Sequence, residues 1–179
     1  VPLVRTKTIT IGLVLAGLMA AGAAANDAGK AASSLGPATG AALPRFESLA
    51  ADEAFGRRGP GGDHRIEWLY ARRGLPVEVV EEAKEWRRVR DPDGALVWMH
   101  ASRLSPRRTL YVAAPDGVEL LAAPRAGAKV LAIAETGVTA SIVGCIGSWR
   151  EVSIGDRRGW VTASAVFAAG ACEAPASIG

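Results

Sequence analysis

Trp86-Arg87-Arg88-Val89, the turn Asp91-Pro92-Asp93-Gly94 and Trp98-Met99-His100-Ala101-Ser102 follow one another in the middle of the chain. About sixty residues later the same order returns. It reads Trp149-Arg150-Glu151-Val152, the turn Gly155-Asp156-Arg157-Arg158-Gly159, then Trp160-Val161-Thr162-Ala163-Ser164. The offset slips by one residue across the turn, as a change in loop length requires. Upstream, Gly74-Leu75-Pro76-Val77-Glu78-Val79-Val80 matches Gly137-Val138-Thr139-Ala140-Ser141-Ile142-Val143 in pattern. Val77, Val79, Val89, Val97, Ile142, Val152 and Val161 are β-branched and suit a pleated, half-buried surface. Asp93-Gly94 between two such runs is a hairpin signal. No stretch after Pro44 holds a long 3.6-residue apolar period; Leu49 to Phe55 is the best helical candidate and is short. The pattern predicts an all-β chain with two small β-barrels in tandem, residues 45–105 and 108–169, parted at the polar turn Ser105-Pro106-Arg107-Arg108.

Outward from the repeats, the chain start reads differently. Arg5 and Lys7 precede an apolar run from Ile9 to Met19, then small residues up to Ala25. A positive start, a short apolar stretch and an Ala-x-Ala end predict a secretory signal peptide, residues 1–25, with cleavage after Ala25 fitting best and cleavage after Ala23 as the alternative. The alternative, a retained membrane anchor, needs about 20 predominantly apolar residues, twice the strongly apolar length present. The mature chain is therefore expected in the periplasm or outside the cell, with no stable membrane anchor. Residues 26–44 are rich in Ala, Gly and Ser, lack apolar periodicity and read as a flexible linker. Setting aside Arg5 and Lys7, 19 basic residues face 18 acidic ones. A net charge of one leaves no broad electrostatic footprint for a nucleic acid.

Catalysis needs a reactive group, a base and an orienting partner. His64 lies in a Gly-rich loop and His100 in a strand, read as facing solvent. No His-Glu-x-x-His or Cys-x-x-Cys pattern is present, so neither a metal nor another cofactor is expected. Glu78, Glu81, Glu82 and Glu85 read as decoration of an exposed strand. In an exported chain the cysteine pair Cys145 and Cys172 reads as a disulfide worth about 3–4 kcal/mol. The rival readings are two unrelated buried thiols and a nucleophilic Cys145. Recurring Trp in a small barrel reads first as core. The functional reading is a groove lined by Tyr70, Trp86 and Trp98, with Arg57 and Arg58 among the arginines on its rim.

Gly59-Pro60-Gly61, Trp68-Leu69-Tyr70, Gly74-Leu75-Pro76-Val77, Trp86-Arg87-Arg88-Val89, Trp98-Met99-His100 and Gly159-Trp160-Val161 together resemble the bacterial SH3-like (SH3b) family. The subgroup is that of exported proteobacterial proteins with tandem copies. The first copy matches more fully. Its opening motif departs from the usual Asn-Leu-Arg, reading Ala54-Phe55-Gly56-Arg57-Arg58 before Gly59-Pro60. The resemblance implies small barrels of five to seven strands that bind envelope components or partner proteins, with no catalytic residues. The function expected is non-catalytic binding of a cell-envelope ligand, a peptidoglycan peptide or a partner protein. The alternative is a cell-wall hydrolase, or an accessory subunit of one.

Overall fold

The computed structural model describes residues 34–172. The expected signal peptide, and residues 26–33 of the expected linker, lie outside the described residues. The described chain is all-β. It opens with a small hairpin, β1 (Ser34–Leu35) and β2 (Ala42–Leu43). The first repeat comprises β3 (Arg45–Leu49), β4 (Ala54–Arg57), β5 (Ile66–Tyr70), β6 (Pro76–Ala83), β7 (Trp86–Arg90), β8 (Leu96–His100) and β9 (Leu104–Ser105). The second comprises β10 (Thr109–Tyr111), β11 (Val118–Leu121), β12 (Val130–Ala134), β13 (Thr139–Ile146), β14 (Trp149–Ile154) and β15 (Arg157–Thr162). Each repeat is one antiparallel sheet, ordered β5-β4-β8-β7-β6-β3-β9 in the first and β10-β13-β14-β15-β11-β12 in the second. Among the described residues no helix is long and apolar enough to cross a membrane. Leu49 to Phe55 is not helical: Leu49 ends β3 and Ala54 opens β4, because both residues are buried in the first core.

The hairpin expected at Asp93-Gly94 joins β7 to β8. Asp91 organises it, its Oδ1 accepting from the Asp93 and Ala95 amides at 3.0 and 2.8 Å. Gly74 and Gly137 hold positive φ, 79° and 86°, in the equivalent turns of the two repeats, where a side chain would be strained. Each turn gives its carbonyl across to the other repeat. Thr109 Oγ1 donates to Gly74 O at 2.7 Å, and Arg72 Nη1 donates to Gly137 O. The rings of Phe46 and Phe167 meet edge-on at 5.6 Å.

Each sheet has its own aliphatic core. The first gathers Leu49, Val77, Val79, Val89, Val97 and Met99; the second gathers Leu110, Val112, Leu120, Val152 and Val161. The tryptophans lie outside these two aliphatic clusters, and of the five only Trp98 is buried. Val97 and Met99 both point inward, so strand alternation turns Trp98 to the other face. Trp86, Trp149 and Trp160 are half-buried, and Trp68 is 58% exposed.

Two further expectations are corrected here. Residues 34–44 are not an unattached tether: the β1–β2 turn closes over the carboxylate of Glu82. The Ala38 and Thr39 amides each donate to Glu82 Oε2 at 3.0 Å, and Thr39 Oγ1 donates to Oε1 at 2.8 Å. A Cβ on Gly36 would collide with that carboxylate, so the close approach requires glycine. Glu82 is accordingly not surface decoration but buried. The cause is a bulge between Val79 and Glu81, which places Glu82 opposite Arg87, on the inward side of the sheet.

Candidate binding site

The expected groove residues fall in different places. Arg57 and Trp86 come together, in a cleft of about 360 Å³ that Phe55, His100, Ser102 and Arg103 also line. β4 supplies Phe55 and Arg57, two apart and therefore on one face. That face points outward because Ala54 and Gly56 are buried. Gly56 leaves no alternative, since a Cβ there would meet Val97 and the Tyr70 ring. β7 begins with Trp86 and β8 ends with His100, paired in register across the sheet. The Trp86 and His100 rings stand edge-to-face, centroids 5.4 Å apart.

Polar contacts fix the cleft's side chains. The Arg57 guanidinium lies 5.9 Å over the Phe55 ring and donates through Nη1 to His64 O at 2.7 Å. His100 Nδ1 accepts from the Ser102 amide at 3.3 Å and lies 2.8 Å from Ser102 Oγ. With Nδ1 accepting, the ring proton sits on Nε2, which faces Glu85 Oε2 at 3.4 Å. The cleft thus offers aromatic faces, a cation held against one of them, and donors at its rim. Such surfaces stack on planar or apolar groups and attract anions.

Tyr70 belongs to a separate depression of about 330 Å³, shared with Leu69, Arg72, Asp91, Asp93 and Tyr111. Its hydroxyl donates to Asp91 Oδ2 at 2.8 Å, and its ring packs against the first core. Burial, the bond to Asp91 and the charges of Asp91 and Asp93 all push its pKa up. Trp98 is buried, opposite Arg57 and Arg88 in the register, rather than on a groove wall. Arg58 points away to Glu67, 3.0 Å distant, on an exposed surface. Phe55, Ser102 and Arg103 complete the cleft beyond the residues expected from the sequence. The period-2 alternation of Phe55 and Arg57 around the buried Gly56 is the signal that places the first of them.

Cys145 and Cys172 form a disulfide between residues 27 apart, a bond that fits an oxidising compartment. Of the acidic cluster, Glu78 pairs with Arg90 at 2.6 Å and Glu81 with Arg88 at 3.2 Å. Glu82 pairs with Arg45 at 2.7 Å and Arg87 at 3.4 Å. Burial opposes the Glu82 charge, but hydrogen bonds from Thr39, Arg45 and the Ala38 and Thr39 amides hold its pKa down at about 2.

Two all-β repeats with matched strands, turns and bulges define a tandem module of small β-domains. The family model for the bacterial SH3 domain matches residues 50–106 and again 114–167. Together these are more than half of the chain, which belongs to the bacterial SH3 domain family. Domains of this family commonly bind cell-wall components and are typically non-catalytic. No curated protein matches the chain significantly. Among solved structures, the chain is similar to NlpC2 from Trichomonas vaginalis at 8% identity and a TM-score of 0.31, covering 69% of this chain and 47% of that one. It is similar to NlpC1 from the same organism at 8% identity and a TM-score of 0.31, covering 74% and 48%. The chain thus spans about half the length of these two structures.

Proposed function

We propose that this protein is an exported, non-catalytic module that binds a cell-envelope ligand through the Phe55–Arg57–Trp86–His100 cleft of its first repeat. The observation that carries the reading is the cleft itself, where aromatic faces and an arginine converge on the outer side of the sheet. Membership of the bacterial SH3 domain family supports the class of ligand. An acidic peptide, such as a peptidoglycan stem peptide or a segment of a partner protein, matches this chemistry: Arg57 and Arg103 take its carboxylates and Trp86 takes its apolar carbons. Trp98 and Tyr70 serve as framework, and Arg58, paired with Glu67, stays outside the cleft. The Cys145–Cys172 bond supports a periplasmic or secreted location. Two observations weigh against the hydrolase alternative: Cys145 is bonded to Cys172, and Glu78, Glu81 and Glu82 are each paired with arginine.

The test is a pulldown with purified sacculi and with candidate envelope proteins, using wild type and Trp86→Ala. Retention of the wild type and at least tenfold weaker retention of the variant are expected. Equal retention of a folded Trp86→Ala protein would move the ligand elsewhere on the molecule.

A further inference from the structure

The two repeats use one position in different ways. In the first, β3 and β7 bring Arg45 and Arg87 to the carboxylate of Glu82. In the second, the register gives the equivalents. Arg45 opposes Val79 as Arg108 opposes Ile142, the Ile142 amide donating to Arg108 O at 3.0 Å. Glu82 opposes Arg87 as Cys145 opposes Arg150. The same bulge, here between Ile142 and Gly144, places Cys145 as its counterpart places Glu82. The second repeat therefore keeps both arginines and has a cysteine where the first has their carboxylate.

The two guanidiniums instead hold the main chain of the C-terminal tail. Arg150 Nε donates to Ala169 O at 2.9 Å and its Nη2 to Gly170 O at 2.5 Å. Arg108 Nη2 donates to Ala171 O at 2.9 Å and Ala169 O at 3.4 Å. A Cβ on Gly170 would lie 2.6 Å from Arg108 Nη2, so the tail lies directly on the guanidinium. Arg150 is 3% exposed, and among the described residues neither arginine is ion-paired to a carboxylate. Burial first, then the charge of Arg108, disfavours the Arg150 cation. Two adjacent cations facing neutral carbonyls gain more from a carboxylate, whose charge-assisted bonds are about twice as strong. The tail is also tied covalently, since Cys172, beyond those carbonyls, is bonded to Cys145.

We propose that Arg108 and Arg150 form a peptide-carboxylate site on the second repeat, closed by the disulfide-tied tail and opened by a dithiol reductant. The dithiol delivers two electrons and two protons and becomes a disulfide itself, while the Cys145–Cys172 bond becomes two thiols. The tail then competes for the arginines through its main-chain carbonyls alone, no longer tied by the disulfide, and a carboxylate of the peptide displaces those carbonyls. The site is separate from the first-repeat cleft, and Trp86→Ala leaves it unchanged.

The experiment titrates the full chain, oxidised and after dithiothreitol, with two probes followed by NMR. One carries a side-chain carboxylate, N-acetyl-Ala-Glu-Ala-amide; the other a terminal one, N-acetyl-Ala-Ala. Their neutral counterparts have Gln for Glu and a terminal amide. Reduced protein is expected to bind at least one acidic probe tenfold or more tightly than oxidised protein, and the better probe identifies the source of the carboxylate. Cys172→Ser should bind alike without reductant, and Arg108→Gln should lose most of the gain. Equal binding in both redox forms, equal binding of the neutral probes, or full binding by reduced Arg108→Gln overturns the proposal. Loss of the fold on reduction and in Cys172→Ser also overturns it, because the site requires a folded, opened repeat.

Discussion

Replacing Glu82 by Gln takes one negative charge from beneath the β1–β2 turn and leaves Arg45 and Arg87 without their shared partner. The Glu82 side chain is fully buried, so solvent does little to screen the change. Its carboxyl moves from an ordinary 4.5 to about 2 on folding, which amounts to a contribution on the order of 3 kcal/mol. The folded pKa lies below the unfolded one, so this stability is complete above about 4.5 and is lost as pH falls toward about 2. Urea denaturation of both proteins, followed by tryptophan fluorescence from pH 7 down to pH 2, reads the effect. The variant is expected to be less stable by about 2–3 kcal/mol at pH 7, the amide retaining part of the hydrogen bonding. The gap should narrow to under about 1 kcal/mol near pH 2, where the wild-type carboxyl is itself protonated. Hydrogen exchange at Ala38 and Thr39 should accelerate in the variant, since their amides lose a charged acceptor. A gap that stays constant with pH, or unchanged protection of those two amides, would refute the reasoning.

Cys145→Ser is expected to lower stability by about 3–4 kcal/mol in the chain-entropy account, seen as a reduced Tm, with the affinity of the first-repeat cleft unchanged at low temperature. Tyr70→Phe removes the bond to Asp91 and should cost about 1 kcal/mol by denaturation, without altering retention on sacculi. Because the Tyr70 phenol is held above its ordinary value of 10.0, it should resist alkaline titration in the ultraviolet, and stability should fall as pH rises beyond that value.

The sequence was legible where local chemistry decides the structure. Asp93-Gly94 demands a tight hairpin, Gly74 and Gly137 mark matched turns, and the recurring Trp-Arg pairs reveal the duplication. What stayed hidden depends on contacts distant along the chain. The bulges before Glu82 and Cys145 are slips of one residue that no alternation of Val and Glu discloses, yet they decide which side chains turn inward. The linker composition of residues 34–44 is compatible with disorder, and what orders the segment is a carboxylate more than forty residues away. In the sequence Tyr70, Trp86 and Trp98 are alike, aromatics near arginines. Tyr70 is set apart because it is turned toward Asp91, whereas Trp98 shares the outer face with Arg57 and Trp86 but is buried there.

The two glycine turns bear on how such a protein can be inherited. The carbonyl of each is satisfied by a side chain of the other repeat, Thr109 for Gly74 and Arg72 for Gly137. A gene fragment carrying one repeat alone would leave its turn carbonyl without this partner and uncover Phe46 or Phe167. Recombination that moves the two together keeps every one of these contacts. These contacts exist only while the two repeats are carried on one chain.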